Sequence, residues 1–418
     1  MSKRLSRLAA VWLVLLSLVL PPAATLPETH DRAALQALQR YLANAAKHGK
    51  TQDAQGVWVQ SAQSVLLHHR GNVPLPAASL TKVATTLAAL RTWGPLHRFP
   101  TLVGAIGAIR GGVLHGDLVV YGGSDPFFVW EDAIVLGNTL EQVGITRVDG
   151  RLLIVGRFYM NFVLEPAEAG SLLKRGLNAA VWPKSAKAQY RALPQGTPKP
   201  RVAISGPVQV VRGPLSGQTP LVRHRSLPLF DILKRMNIYS NNAMAEMLTI
   251  AVGGSGRMRQ TAARAAGVSN GELRLSNGSG LGMSNQISPR AVCALFIAIH
   301  NILQADGLNI ADVFPIAGRD NGTIARRKLP RHAVVKTGTL RRVSTLGGVI
   351  FTRQHGPVWF ALLNQGSNLP ALRTHQDTLL KSVTRSWGSL DNPPSPFRPF
   401  DFAMEFERDS ILIHPSRY

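Results

Sequence analysis

The chain has 418 residues, of which 45% are hydrophobic and 17% are charged. This composition excludes a disordered chain and allows two or three domains with buried cores. Lys and Arg outnumber Asp and Glu by 47 to 23, so the formal net charge is +24 and attraction to polyanions is expected. The basic residues are scattered and no nucleic-acid motif is present, so we expect no nucleic-acid partner.

The N-terminus has the pattern of an export signal. Lys3, Arg4 and Arg7 precede an apolar run over residues 8–20, and small residues follow it. We expect cleavage near Ala24 and a periplasmic or otherwise exported protein, with an uncleaved anchor as the alternative. Removing residues 1–24 takes away three cations and no acid, which leaves +21. An anionic wall or membrane surface would attract such a protein, although adaptation to an acidic exterior explains the charge equally well.

Helical and strand patterns alternate in an order that predicts an α+β fold. Helices are expected at 31–47, 79–93, 228–236, 242–252, 289–303 and 374–387, and strands at 56–60, 64–69, 333–336, 343–351 and 358–364. The first two and last three strands can form one five-stranded antiparallel sheet flanked by helices.

The stretch 96–223 interrupts this pattern. Short strand-like runs alternate there with Gly and Pro turns, which predicts an inserted β-rich domain, and its part 184–200 is polar and predicted to be irregular. The end of the chain, 391–418, is rich in Pro, Phe and Arg and is expected to lie on the surface as a tail. The single cysteine, Cys293, falls in an apolar run and is interpreted as a core residue. The histidines form no metal-binding pattern, so neither a metal nor a cofactor is expected.

Three short motifs carry the candidate chemistry. They are Ser79-x-x-Lys82, Ser240-x-Asn242 and Lys336-Thr337-Gly338. A serine hydroxyl needs a base, and a residue three positions along a helix shares its face. A partly buried lysine near other cations can lose its proton and act as that base. Ser240 could relay a proton to a leaving amine, and Asn242 could hold a substrate amide.

The third motif supplies candidates for substrate binding. The charge of Lys336 could anchor a carboxylate, and Thr337 could hydrogen-bond the same group. Gly338 would let the backbone approach the substrate. The backbone N–H groups of Ser79 and Thr339 are the candidate oxyanion hole.

The three motifs together resemble the penicillin-binding protein and β-lactamase set. Their surroundings are similar to the class C low-molecular-mass penicillin-binding proteins, the D-alanyl-D-alanine carboxypeptidase/endopeptidase family of the penicillin-binding protein 4 type. The similar segments are 76–83, 116–126, 236–246, the Asn-Gly-Ser-Gly-Leu loop at 277–281, 315–318 and 336–340. The resemblance implies a penicillin-binding, transpeptidase-like catalytic domain built from 26–95 and 224–390. It also implies peptidoglycan stem peptides as substrates and β-lactams as covalent inhibitors.

One position departs from the family pattern, and another matches the pattern but is explained by local structure alone. Family members often carry an acid after the Val-x-Gly-x-Leu strand of the insertion, where it helps to recognise an amine on the wall peptide. Val155 stands at that place, which puts recognition of a diamino-acid side chain in doubt. Asp125, before a proline, is interpreted as a turn residue.

Several functions remain open from the sequence. The leading hypothesis is a serine-type D-alanyl-D-alanine carboxypeptidase or endopeptidase that acts through an acyl-enzyme on Ser79. A β-lactamase-like hydrolase shares the motifs, but the long insertion argues against it. An esterase is weaker, because such relatives usually carry Tyr in place of Ser240. A non-catalytic wall-binding protein would use only the positive charge, and it would not need Ser79, Lys82, Ser240 and Lys336 together.

Overall fold

A computed structural model describes residues 28–48, 51–400 and 408–412; the predicted signal at 1–24 lies outside them. The described residues form ten α-helices and sixteen strands. The helices are α1 (Glu28–His48), α2 (Thr81–Trp93), α3 (Trp130–Gln142), α4 (Pro166–Gly176), α5 (Lys184–Tyr190), α6 (Leu229–Tyr239), α7 (Asn242–Ala251), α8 (Ser255–Ala266), α9 (Pro289–Gln304) and α10 (Leu369–Ser386). None of them is long and apolar enough to cross a membrane.

The strands fall into a central sheet, an insertion sheet and a small three-stranded sheet. They are β1 (Gln55–Gln60), β2 (Val65–His69), β3 (Leu75–Pro76), β4 (Pro100–Arg110), β5 (Val113–Gly123), β6 (Arg147–Val148), β7 (Leu152–Arg157), β8 (Ala203–Ile204), β9 (Val208–Val211), β10 (Thr219–Arg225), β11 (Leu273–Arg274), β12 (Gln286–Ile287), β13 (Val334–Leu340), β14 (Val343–Thr352), β15 (Gly356–Gln365) and β16 (Asp409–Ile411).

The central sheet has five antiparallel strands in the order β13-β14-β15-β1-β2. Side chains alternate between its two faces, as strand geometry requires. In β15, Phe360 and Leu362 pack in one core with α1 and α10, whereas Trp359 and Ala361 belong to a second core with α2 and α9. The sheet is therefore covered by helices on both faces, and the predicted α+β class with its five-stranded antiparallel sheet is confirmed.

The insertion contains a mixed sheet and three helices, α3 to α5, that the sequence analysis did not predict. β4 and β5 form a long hairpin, while β5, β7 and β9 pair in parallel. Parallel neighbours need crossover connections, and α3 lies in the connection from β5 to β7, with α4 and α5 in that from β7 to β9. The prediction of an irregular stretch at 184–200 is wrong at its start, because α5 places Ala186 and Tyr190 against the insertion core.

The described part of the C-terminal segment lies mostly at the surface, as expected, but it is attached to the fold at two places. Phe397 is buried and stacks on His300, with ring centroids 4.4 Å apart. β16 extends the insertion sheet by pairing with β10. The composition gave no sign of these two attachments, because pairing with a strand nearly 190 residues earlier leaves no local pattern. Cys293, by contrast, is fully buried among apolar residues as predicted.

Candidate active site

The serine of the first motif lies in a tight turn at the start of α2. A 3₁₀ turn (Ala78–Leu80) leads directly into the helix, and Ala78 takes a φ of 48°, which non-glycine residues rarely adopt. Ser79 is half-buried at this turn, while Leu80 and Lys82 are fully buried. The turn thus leaves the Ser79 hydroxyl accessible to solvent, and the buried Lys82 amine lies one helical turn further along α2.

Lys82 makes three hydrogen bonds inside the protein. Its Nζ donates to Ser79 Oγ at 3.2 Å, to Asn242 Oδ1 at 2.7 Å and to the Ser279 carbonyl at 2.7 Å. Burial lowers the pKa of Lys82 from 10.5 to about 7, against the charge of Glu246, which raises it. An amine with this pKa is substantially neutral near pH 7 and can accept a proton from the hydroxyl beside it.

The helix α7 positions the second group of residues around Lys82. Asn241 caps the helix by accepting from Met244 N, which leaves the Asn242 side chain directed to Lys82 and the cleft. One turn later, Glu246 accepts hydrogen bonds from the backbone N–H groups of Gly278 and Ser279. Because the Asn242 oxygen is occupied by Lys82, its amide nitrogen remains as the donor for a ligand.

A second serine–lysine pair stands opposite the first. Ser240 ends α6 in a left-handed conformation, with φ 55° and ψ 42°, which is strained for a residue other than glycine. Lys336 Nζ donates to Ser240 Oγ at 2.9 Å and to the Thr337 carbonyl at 3.0 Å. Lys336 has no exposed surface, and burial, reinforced by the charge of Lys82, holds its pKa well below 10.5.

The edge strand β13 borders the cleft. The strand was predicted to end at Lys336, but it continues to Leu340 because these residues pair with the start of β14. Val335 N donates away from the sheet, to the Pro315 carbonyl. Since hydrogen-bonding direction alternates along a strand, the N–H groups of Thr337 and Thr339 also point away from β14, towards the open side.

Gly338 allows the strand to approach the serine turn closely. A Cβ at this position would lie 2.2 Å from Thr345 Oγ1 and 2.9 Å from both the Ala77 carbonyl and Ser79 N. The sequence analysis assigned this glycine to close approach of the substrate. In the structure, the partner that comes close is the protein's own nucleophile segment.

The predicted site residues meet in and under one cleft of about 730 Å³. Ser79, Ser240, Asn242, Thr337 and Thr339 line it. Lys82 and Lys336 have no exposed surface and lie beneath its floor, bonded to the two serines. Among the described lining residues, five are cations and one, Asp377, is an acid. Across the described part of the chain, no cluster of His, Cys, Asp and Glu side chains could hold a metal ion.

Two residues weighed in the sequence analysis lie away from this cleft. Asp125 is buried in the insertion, where its Oδ1 accepts from Phe127 N, as in a turn. Burial, with the nearby charge of Asp132, raises the pKa of Asp125 to about 7. Val155 packs in a small apolar cluster with Val119 and is opposite Tyr121 in the sheet. No acid replaces it at that point of the strand.

Three residues of the site were not assigned from the sequence. Glu246 follows Asn242 by one helical turn, so its spacing could have marked it. Gly280 takes a φ of 83°, and a Cβ there would lie 1.9 Å from the Ala78 carbonyl, so the loop at 277–281 packs against the nucleophile turn. Arg373 donates to Thr339 Oγ1 at 2.9 Å. Nothing in the sequence marked this arginine, because the last helix was predicted to begin after it, at residue 374.

The fold and cleft define a serine hydrolase of the penicillin-recognising class, and solved structures share the architecture. A predatory endopeptidase of Bdellovibrio bacteriovorus, solved with an immunity protein, superposes with a TM-score of 0.71 at 20% identity, over 85% of this chain and 98% of the other. Penicillin-binding protein 4 of Haemophilus influenzae gives 0.63 at 19% identity, over 84% of this chain and 99% of the other. At these identities the likeness establishes the fold.

The family follows from sequence comparison. The model of the D-Ala-D-Ala carboxypeptidase 3 (S13) family matches residues 38–159 and 169–385, and the chain belongs to this family. Carboxypeptidase DacB of Mycolicibacterium smegmatis is 26% identical over 88% of this chain and 87% of its own length. D-alanyl-D-alanine carboxypeptidase DacB of Haemophilus influenzae is 30% identical over 40% of this chain, a stretch that spans 37% of that relative. The enzyme class indicated by the sequence, a serine-type peptidase, is thereby confirmed.

Proposed function

We propose that this enzyme cleaves peptide bonds on the carbonyl side of D-alanine in peptidoglycan stem peptides, through an acyl-enzyme on Ser79. The observation that carries the proposal is the Lys82 amine, with a pKa near 7, at 3.2 Å from Ser79 Oγ. Neutral Lys82 accepts the hydroxyl proton while Ser79 Oγ attacks the D-alanyl carbonyl carbon. The N–H groups of Ser79 and Thr339 stabilise the oxyanion that forms.

The second serine–lysine pair completes the acylation step. Lys336 donates to Ser240 Oγ, so the Ser240 hydroxyl proton is directed elsewhere and can pass to the departing nitrogen. Ser240 regains a proton from Lys336, whose Nζ donates to its Oγ, and the proton that Lys82 took from Ser79 passes to Lys336, so both lysines return to their starting states. The C–N bond breaks, the amine leaves, and the acyl group stays on Ser79. Water then adds to the ester carbonyl, gives its proton back through Lys82, and releases the D-alanyl acid and free Ser79.

The site is proposed to meet its substrate outside the cytoplasm. The pattern at residues 1–24 supports export, and the basic charge supports association with anionic wall or membrane surfaces. β-Lactams resemble the D-alanyl-D-alanine terminus and are proposed to acylate Ser79 as covalent inhibitors.

Labelling with a fluorescent penicillin, followed by peptide mapping, tests the proposal. We expect one adduct on Ser79 in the wild type and none in Ser79→Ala. An adduct on another serine would contradict the assignment to Ser79. The absence of any adduct in the folded wild type would favour a non-catalytic wall-binding protein. Rapid turnover of the adduct would instead favour the β-lactamase alternative. Digestion of purified muropeptides, with products identified by mass, then separates loss of a terminal D-alanine from cleavage of a cross-link.

A further inference from the structure

The second part of the insertion, with the residues just after it, carries positive charge only. Between Glu168 and Asp231 the chain has no acidic residue, and it contains ten cations. They are Lys174, Arg175, Lys184, Lys187, Arg191, Lys199, Arg201, Arg212, Arg223 and Arg225. The first part of the insertion, 96–168, has eight acids and five cations. Although the chain has no short basic motif, its charge within the insertion is therefore concentrated in one part.

Helix α5 presents three of these cations along one side. Lys184 and Lys187, with Arg191 just after the helix, are spaced three and four residues apart, and all three are exposed. Ala186 and Tyr190 pack against the insertion core and hold the helix in place. The basic side of α5 is therefore a fixed part of the folded surface.

The basic surface continues from α5 to the end of α4. Trp182 Nε1 donates to the Gly176 carbonyl at 2.8 Å, which holds the segment before α5 against the last turn of α4. Beside this contact lies a groove of about 570 Å³, whose described lining includes Lys174, Arg175 and Val181 and no acid. Val181 is 55% exposed. An exposed apolar side chain therefore lies among the cations.

The cations of this surface have no acidic partners in the described part of the chain. Arg201 does pair with an acid, since its Nη2 lies 3.4 Å from Glu141 Oε2, and we leave it out of the surface for that reason. The acid of α4 that comes nearest in sequence, Glu168, is seven residues before Arg175 and thus about 10 Å from it along the helix axis. The surface between α4 and α5 therefore keeps an uncompensated positive charge.

An anionic bilayer matches this combination of charge and apolar exposure. Lipid phosphates attract Lys and Arg side chains near the surface, and the headgroup region accepts exposed apolar side chains. A hydrated wall polymer would meet the charges but would leave Val181 in water. We propose that a docking face binds the enzyme to an anionic phospholipid bilayer; it consists of Arg175, Val181, Lys184, Lys187 and Arg191. None of the five lines the catalytic cleft, so docking is separate from the proposed peptidase function and goes beyond it.

Binding of the full chain to lipid vesicles tests the docking face. The probes are vesicles of phosphatidylglycerol and phosphatidylcholine in equal parts and vesicles of phosphatidylcholine alone. The measured quantity is the ratio of the two affinities, so a contribution from the apolar run at 8–20 cancels. The α5 variant combines Lys184→Gln, Lys187→Gln and Arg191→Gln. It should lower the ratio by roughly 10²-fold, because each cation near an anionic lipid surface strengthens binding by about fivefold.

The matched control removes the same charge from another helix. The α1 variant combines Arg32→Gln, Arg40→Gln and Lys47→Gln, all at exposed positions. It should change the ratio by less than about threefold, because charges away from the bilayer are screened by salt. Both variants should keep penicillin labelling of Ser79, which shows that they are folded. Equal losses in the two variants would show that only the net charge matters and would overturn the docking face.

Two further measurements separate a bilayer from a wall polymer. Val181→Ser should weaken binding to the anionic vesicles by roughly threefold, the scale of one partly buried valine, and leave binding to sacculi unchanged. An α5 variant that binds sacculi less well but keeps the vesicle ratio of the wild type would make the wall the partner and overturn bilayer docking. Ser79→Ala should bind vesicles as the wild type does, so a failure of the proposed peptidase function would leave the vesicle result intact.

Discussion

The charge of Glu246 sets the pH range in which Lys82 can act as a base, and Glu246→Gln tests this. Burial lowers the pKa of Lys82 to about 7, while Glu246 opposes the shift. The two side chains are linked through one residue, since Lys82 binds the Ser279 carbonyl and Glu246 binds Ser279 N at 2.9 Å. Glutamine keeps one oxygen that can accept the Ser279 N–H, and it removes the negative charge together with the longer hydrogen bond from Gly278 N.

The size of the effect follows from titration of the amine. Acylation needs neutral Lys82, so its rate falls as the pH drops through the pKa. Loss of a nearby opposite charge lowers a lysine pKa by roughly one unit. The midpoint of the acid limb should therefore move from about pH 7 to about pH 6. At pH 6 the neutral fraction of Lys82 would then be about 50% in the variant, against about 9% in the wild type. When each enzyme's acylation rate is divided by its own maximum at high pH, the variant should be roughly fivefold faster at pH 6.

The assay is stopped-flow acylation by a fluorescent penicillin between pH 5 and 9. Asp306→Asn, which removes one exposed carboxylate outside the cleft, is the matched control and should leave the midpoint in place. A midpoint that stays near pH 7 in folded Glu246→Gln, or moves upwards, would refute the role of Lys82 as the titrating base.

Other perturbations test further parts of the site and surface. Lys82→Arg keeps the charge but cannot supply a neutral amine, so penicillin acylation should fall by about 10²-fold or more; near-normal rates would remove Lys82 from the mechanism. Gly338→Ala should abolish acylation, because its Cβ would lie 2.2 Å from Thr345 Oγ1. The control is Gly256→Ala, in open space within α8, which should leave acylation intact. An active Gly338→Ala would show that the strand can move. Co-sedimentation with sacculi should weaken steeply from low to high ionic strength, because charge attraction is screened. Salt-independent binding would mean that the positive charge forms no binding face.

The local patterns were sufficient to predict the central sheet and the motif residues. The alternation of inward and outward side chains in β15 and the helical spacing in α2 are visible among residues a few positions apart. Ser79 and Lys82 are also only three positions apart, so their pairing could be predicted in the same way. The order of the motifs, together with the resemblance of their surroundings, brought Ser240 and Lys336 into the same predicted site. In the structure, these residues do lie in and under one cleft.

The missed features depend on contacts between distant parts of the chain. The sequence analysis did not predict α3 to α5. These helices connect strands that pair in parallel, and parallel pairing becomes visible only when the sheet is assembled. The direction of Arg373 towards Thr339 depends on where α10 begins and how it packs beside β13. The burial of Lys336, which removes it from direct contact with the cleft, likewise appears only when the strand is placed next to Ser240.

The burial of Lys82 is itself an argument for chemistry at this site. A lysine whose pKa falls from 10.5 in the unfolded chain to about 7 in the fold binds fewer protons when folded, so stability rises with pH across that window. Below it the penalty is fully present and is on the order of 5 kcal/mol. An apolar side chain at this position of α2 would avoid that penalty, and a second buried lysine, Lys336, adds repulsion. The pair is therefore unfavourable for folding, and its value lies in the proton that Lys82 can accept at neutral pH.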